Sequence, residues 1–192
     1  MTTSLSGWDR VAMAIQEVRD RLLRCAAAME AAQVPYAIAG GNAVAEWVGR
    51  IDKAAVRFTQ DVDLLVRRGD LTRAVEAMRS AGFVFGESSG VPFFLDGPHA
   101  SPRDAVHLVF SGEKAKPQEP LPAPDVTDSE AAEGFRVVSL RSLVTMKLTA
   151  YRRKDQVHLL DMLGVGLIDA SWTAQLPSPL AERLQELIDN PE

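Results

Sequence analysis

The chain is short of most features that would commit it to a specialised class. It has one cysteine, Cys25, which excludes an intrachain disulfide framework, a thiolate-rich zinc site and CxxC redox chemistry, and leaves core packing as the expected place of that thiol. No run approaches the ~20 apolar residues that cross a bilayer. Asp9 and Arg10 arrive before any apolar stretch develops, so no signal peptide is expected and the chain reads as cytoplasmic, without membrane contact. Positive charge is lacking too: 21 Lys and Arg face 26 Asp and Glu, a net charge of -5. Coating nucleic acid needs clustered cations to neutralise phosphates, so any nucleic-acid contact must be local. What is present, 46% hydrophobic and 24% charged residues over 192 positions, is enough for one sizeable core.

The hydrophobic pattern alternates between two periods. Val11, Ile15, Val18, Leu22, Cys25 and Met29 recur at three- and four-residue steps, which predicts an amphipathic helix from Trp8 to Gln33. Tyr36 to Ala39 is a short apolar run between Pro35 and Gly40-Gly41 and reads as a buried strand. A helix is expected over 42–50, a strand over 61–66, and a helix capped by Asp70 and closing at Gly82. Phe83–Phe85 and Val91–Leu95 read as a hairpin, Val106–Phe110 and Phe135–Val138 as further strands. Between the last two, Gly112 to Glu133 holds Pro117, Pro120, Pro122 and Pro124 and is expected to be one long surface loop. Ser139 is placed to cap a single long helix over 140–163. Asp169 and Ser178-Pro179 open two terminal helices.

The chemistry concentrates between Ala39 and Val66. Asp61 and Asp63 stand two apart in a strand, so their carboxylates leave the same face and can share one hard cation. Gly40-Gly41 precedes a helix, where a backbone without Cβ atoms can approach a phosphate and the helix N-terminus can receive its charge. These parts suit a nucleoside triphosphate on a glycine turn with a metal on an aspartate pair. Other motifs fail: Leu65, Val66 and Thr72 stand where an EF-hand needs a ligand, a glycine and a glutamate. Gly86-Glu-Ser-Ser-Gly90 is followed by Val91-Pro-Phe-Phe, not by the helix of a nucleophile elbow. No P-loop is present, and Gly164-Val-Gly166 lacks the rest of a dinucleotide fingerprint.

Further on, at about 100° per residue, Lys147, Tyr151, Asp155 and His158 fall at nearly one angle of the expected 140–163 helix, with Leu143, Met146 and Ala150 on a flank that can pack. Arg152, Arg153 and Lys154 form the one basic cluster suited to a local RNA contact.

With Gly40-Gly41 before a helix and an hDhDh strand at 61–66, the sequence resembles the nucleotidyltransferase superfamily of DNA polymerase beta. Within it, the AbiEii-type nucleotidyltransferases are the nearest likeness: their Arg-x-Thr-x-Asp-x-Asp pattern is matched by Arg57, Thr59, Asp61 and Asp63, and their later Lys and Arg/Lys-Asp pattern by Lys147 and Lys154-Asp155. The resemblance implies an α/β (α+β) nucleotidyltransferase fold, a short mixed β-sheet flanked by helices. It also implies a core over 1–138 with the N-terminal helix, and a C-terminal helical region over 139–192 packed on it as a single unit. The implied activity is metal-dependent transfer of a nucleoside monophosphate from an NTP to a hydroxyl of an acceptor such as RNA, tRNA, a protein or a small molecule. A toxin-like role restrained by an antitoxin-like partner protein goes with it. Asp61 and Asp63 would hold Mg2+ or Mn2+, Asp61, Asp63, His107, Lys147 and Asp155 would be catalytic, and Gly40, Gly41, Asn42, Arg57, Thr59, Lys147 and Tyr151 would bind the nucleotide. The superfamily's third carboxylate comes from a neighbouring strand, where this chain presents His107; Asp104 has the opposite parity. An imidazole there can accept a proton from a hydroxyl. The alternative is a non-catalytic module that binds a nucleotide or partner through a degenerate site.

Overall fold

The computed structural model describes residues 6–101 and 104–191. The expectation of no signal peptide rests partly on residues 1–5, which lie outside that range. Six α-helices and seven strands alternate among the described residues: α1 (Gly7–Ala31), β1 (Tyr36–Ala39), α2 (Gly40–Gly49), β2 (Val62–Val66), α3 (Leu71–Ser80), β3 (Val84–Ser88), β4 (Val91–Leu95), β5 (Val106–Phe110), β6 (Ser129–Ala132), β7 (Phe135–Val138), α4 (Leu140–Ala150), α5 (Arg153–Gly164) and α6 (Ser178–Asp189). The strands form one mixed sheet in the order β3-β4-β5-β2-β1-β7-β6. β2 pairs parallel with β5 and β1 parallel with β7, and the remaining neighbours are antiparallel.

The apolar pattern explains the layering. β1 is buried at all four positions, as befits a central strand covered on both faces. The stripe of α1 places Leu22, Cys25, Ala26 and Met29 in the core. α1 packs with α3, while α2 packs against β1, β2, α4 and α5. One continuous core draws residues from α1 through to Leu180 and Leu184 of α6. No described helix is long and apolar enough to cross a membrane.

Three expectations need correction. Asp70 occupies the N-cap position of α3, yet its carboxylate makes no cap and pairs instead with Arg73 at 3.0 Å. The region 112–133 is not all loop: Ser129–Ala132 forms an edge strand in a hairpin with β7, hidden because it carries no β-branched or aromatic residue to mark it. The third correction shapes the site. The single helix over 140–163 is broken at Tyr151, whose φ of 46° is left-handed, and α4 and α5 meet there at an angle that a continuous rod excludes.

Candidate functional site

The register of three strands assembles the first half of the site. Asp63 lies opposite Ala39 on β1 and opposite His107 on β5, so the glycine turn that follows Ala39 abuts Asp63 while His107 stands beside it on the neighbouring strand. The turn requires glycine twice over. Gly40 has φ +65°, and a Cβ there would lie 1.7 Å from Asp63 Oδ2; a Cβ on Gly41 would lie 2.8 Å from Thr59 Cγ2. No described side chain caps α2, so its first N–H groups are left for an anion at the cleft.

This corner opens into a cleft of about 550 Å³. Gly40, Asp61, Asp63 and His107 line it from the sheet and the glycine turn, and Lys147, Arg152 and Lys154 line it from α4, α5 and the turn between them. The side chains of Asp63 and His107 make no hydrogen bond or ion pair among the described residues; the Asp61 carboxylate has one long contact, with Lys154 Nζ at 3.5 Å. Two carboxylates beside a phosphate-sized turn fit Mg2+, which takes oxygen ligands, keeps several waters and is commonly completed by substrate phosphates. No described group of three or more His, Cys, Asp or Glu is gathered to cage an ion, so Asp61 and Asp63 would be the protein's whole share of that coordination.

The second half follows from the break at Tyr151. Asp155, 1% exposed, accepts hydrogen bonds from Lys147 Nζ at 3.0 Å, from Arg152 Nε at 2.7 Å and from the Arg152 backbone N–H at 3.2 Å. Burial pushes the Asp155 carboxyl upward, but the Arg152 and Lys147 contacts outweigh it and hold the group below the usual carboxylate range. Burial also pushes the Lys147 ammonium down, against the pull of Asp155 and Asp63. His158, next along α5, is held at about 4 by burial and by the nearby Lys147 and Lys154 charges, and its buried Nδ1 has no described partner. It is a neutral packing residue.

Not every expected residue reaches the cleft. Tyr151 points to α6, donating its hydroxyl to Glu186 and to the Arg183 carbonyl, so the polar stripe expected on one helix does not exist. Arg57 pairs with Asp161 of α5 at 2.7 Å. Thr59 packs behind Gly41, and Asn42 donates to the Asp61 carbonyl at 2.7 Å, tying the helix start to β2. Asp104 stands 3.7 Å from Arg21, away from His107. Sequence reasoning missed Arg68, Lys114 and Lys116, which also line the cleft. Of the chain's five lysines only Lys53 stands apart, while Lys114, Lys116, Lys147 and Lys154 all line this cleft, a convergence that no pattern in the sequence marks. The lining as a whole carries six Lys and Arg against five Asp and Glu, a slight positive excess in a chain of net charge -5.

No family model and no curated protein matches the chain. Among solved structures it is similar to an antigenic nucleotidyltransferase-like protein from Paracoccidioides brasiliensis, at 19% identity over 92% of this chain and 89% of that one, with a TM-score of 0.59. It is also similar to the antibiotic-resistance factor ANT(2'')-Ia, at 14% identity over 88% of this chain and 89% of that one, with a TM-score of 0.51. At such identities the likeness is one of fold, and the fold of this chain is that of the nucleotidyltransferases.

Proposed function

We propose that the chain is a metal-dependent nucleotidyltransferase that moves a nucleoside monophosphate from an NTP to a hydroxyl. The observation that carries this reading is that Asp61, Asp63 and the Gly40 turn line one cleft together with Lys147, Arg152 and Lys154. Asp61 and Asp63 would hold Mg2+ or Mn2+, which when bound neutralises phosphate charge as it shifts to the leaving oxygen. The N–H groups at the start of α2, with Lys147, Arg152 and Lys154, bind the phosphate oxygens and orient the triphosphate. His107, beside Asp63, accepts the proton of the acceptor hydroxyl at an imidazole nitrogen. The acceptor oxygen then bonds to the α-phosphorus, the bond from that phosphorus to the bridging oxygen breaks, and pyrophosphate leaves. The AbiEii-type likeness, with its toxin-like role, antitoxin-like partner and cytoplasmic setting, is supported by the motif residues Arg57, Thr59, Asp61, Asp63, Lys147 and Asp155.

The test is incubation with each α-labelled NTP, Mg2+ or Mn2+, total RNA and a cell extract. A labelled acceptor, lost in Asp61→Asn and Asp63→Asn, is the expected result. NTP binding with no labelled acceptor under either metal would mark the chain as a non-catalytic nucleotide-binding module.

A further inference from the structure

We propose that Asp155 is a positioning residue: set in the cleft lining but 1% exposed, it holds the Lys147 ammonium and the Arg152 guanidinium side by side for the triphosphate and does not itself bind the ligand. The inference rests on the nucleotide-binding reading above and deepens it. Asp155 is 1% exposed, and its lone pairs are already taken. Oδ1 accepts from Lys147 Nζ at 3.0 Å and Arg152 Nη2 at 3.4 Å, and Oδ2 accepts from Arg152 Nε at 2.7 Å and Arg152 N at 3.2 Å. A carboxylate offers about four such sites. Nothing is left for a substrate.

The chain is bent to make this clamp. On a continuous helix, residues eight apart are separated by about 12 Å along the axis, out of reach of a lysine–aspartate hydrogen bond in the observed form. The left-handed turn at Tyr151 folds α5 back so that Asp155 meets Lys147. A tyrosine in that conformation costs of order 1 kcal/mol, and α6 holds it there. The Tyr151 hydroxyl donates to Glu186 at 2.9 Å, Arg183 donates to the Leu148 and Thr149 carbonyls at the end of α4, and Gln156 donates to the Tyr151 carbonyl. One carboxylate against two cations leaves the group with a net positive charge. The Arg152 side chain is 66% exposed, so its remaining N–H donors are open to phosphate oxygens, and Lys147 lines the cleft.

The experiment measures equilibrium binding of ATP, GTP, CTP and UTP, and of their monophosphates, in Mg2+, to wild type, Asp155→Asn, Asp155→Glu, Lys147→Ala, Arg152→Ala and the double variant Asp155→Asn/Lys147→Ala. Asp155→Asn is expected to weaken binding of the preferred NTP roughly tenfold while leaving the monophosphate within about twofold, because only the outer phosphates lose their partners. Asp155→Glu should recover part of that loss, and Lys147→Ala should cost less in the Asp155→Asn background than alone, since an unheld lysine contributes little. Should Asp155→Asn fail to fold by circular dichroism, Arg152→Ala decides: a several-fold loss of NTP over monophosphate supports the clamp and unchanged NTP affinity overturns it. Equal losses for NTP and monophosphate, a gain in NTP affinity on removing the carboxylate, or strict additivity would each overturn the positioning role alone. A wild-type chain that binds no NTP overturns the nucleotide reading as well.

Discussion

On the strand side of the cleft, Asp63 and His107 are half-buried and their side chains make no hydrogen bond or ion pair among the described residues, and the Asp61 carboxylate has only the 3.5 Å contact with Lys154. On the helix side, Asp155 and Lys147 are buried at 1% and 5% exposure and tied to each other and to Arg152. The difference separates two demands on one site. On the proposed nucleotidyltransferase reading, the carboxylates that would receive a cation are kept near water with their ligand positions open, and the cations that would meet a polyanion are fixed in place before it arrives. The expectation is that strand-side substitutions strike function and spare the fold, whereas helix-side substitutions strike both.

The largest effect expected is on turnover. Asp63→Asn should lower labelled-nucleotide transfer by roughly a thousandfold or more, since a charge held at the reacting phosphates is lost. Its unfolding free energy should stay within about 0.5 kcal/mol of wild type, because relieving a like-charged pair takes nothing from the packing. A Asp63→Asn chain that melts early would break the contrast between the walls. Next, Asp155→Ala leaves Lys147 buried without its carboxylate, and denaturant unfolding should show a loss of about 4 kcal/mol; a neutral result would place the helix wall in the same class as the strand wall.

The third effect is a pH dependence. His158 is held at about 4 in the fold against 6.5 when free, by burial first and by the Lys147 and Lys154 charges second, with Asp155 and Asp161 pulling the other way. The unfolded chain therefore takes up the proton first as pH falls. Stability present above pH 6.5 should decline between 6.5 and 4, by about 3 kcal/mol if His158 acts alone, and urea midpoints for His158→Leu should fall less steeply over that window. Equal slopes for both proteins would remove His158 from the helix wall's account. Smallest of all, Arg57→Ala breaks a contact with Asp161 in which the arginine side chain is 61% exposed. Its effect on stability should be below about 0.5 kcal/mol, and a tenfold loss of NTP affinity would restore Arg57 as a direct ligand.

The strand wall was the more legible of the two. Glycines bounding an apolar run and aspartates at a two-residue spacing are local signals, and the alternation at 105–110 put His107 on the correct parity without the pairing to β2 being known. The helix wall was misread because its defining event leaves no mark in the pattern. Tyr151 is neither glycine nor proline, and Leu148 and Leu159 stand 11 residues apart, three turns at the helical period. The apolar phase therefore runs on across the break as though the rod continued. Its causes are non-local: the Arg183 and Glu186 contacts from α6. For the same reason the stripe of Lys147, Tyr151 and Asp155 was drawn on one face, when two of its members meet head-on and the third turns away. β6 escaped notice because Ser129 to Ala132 joins the sheet only through its hairpin with Phe135 to Val138. Lys114 and Lys116 come to the cleft from a proline-rich connection whose path no periodicity reports.

The central claim is that Asp61 and Asp63 bind nucleotide through a shared cation, and calorimetric titration of the preferred NTP with and without Mg2+ addresses it directly. Wild type should bind in the presence of Mg2+ and lose most of that affinity in EDTA, while Asp63→Asn should bind weakly and equally in both. Equal NTP affinity in wild type and Asp63→Asn, with no response to Mg2+ in either, would contradict the account.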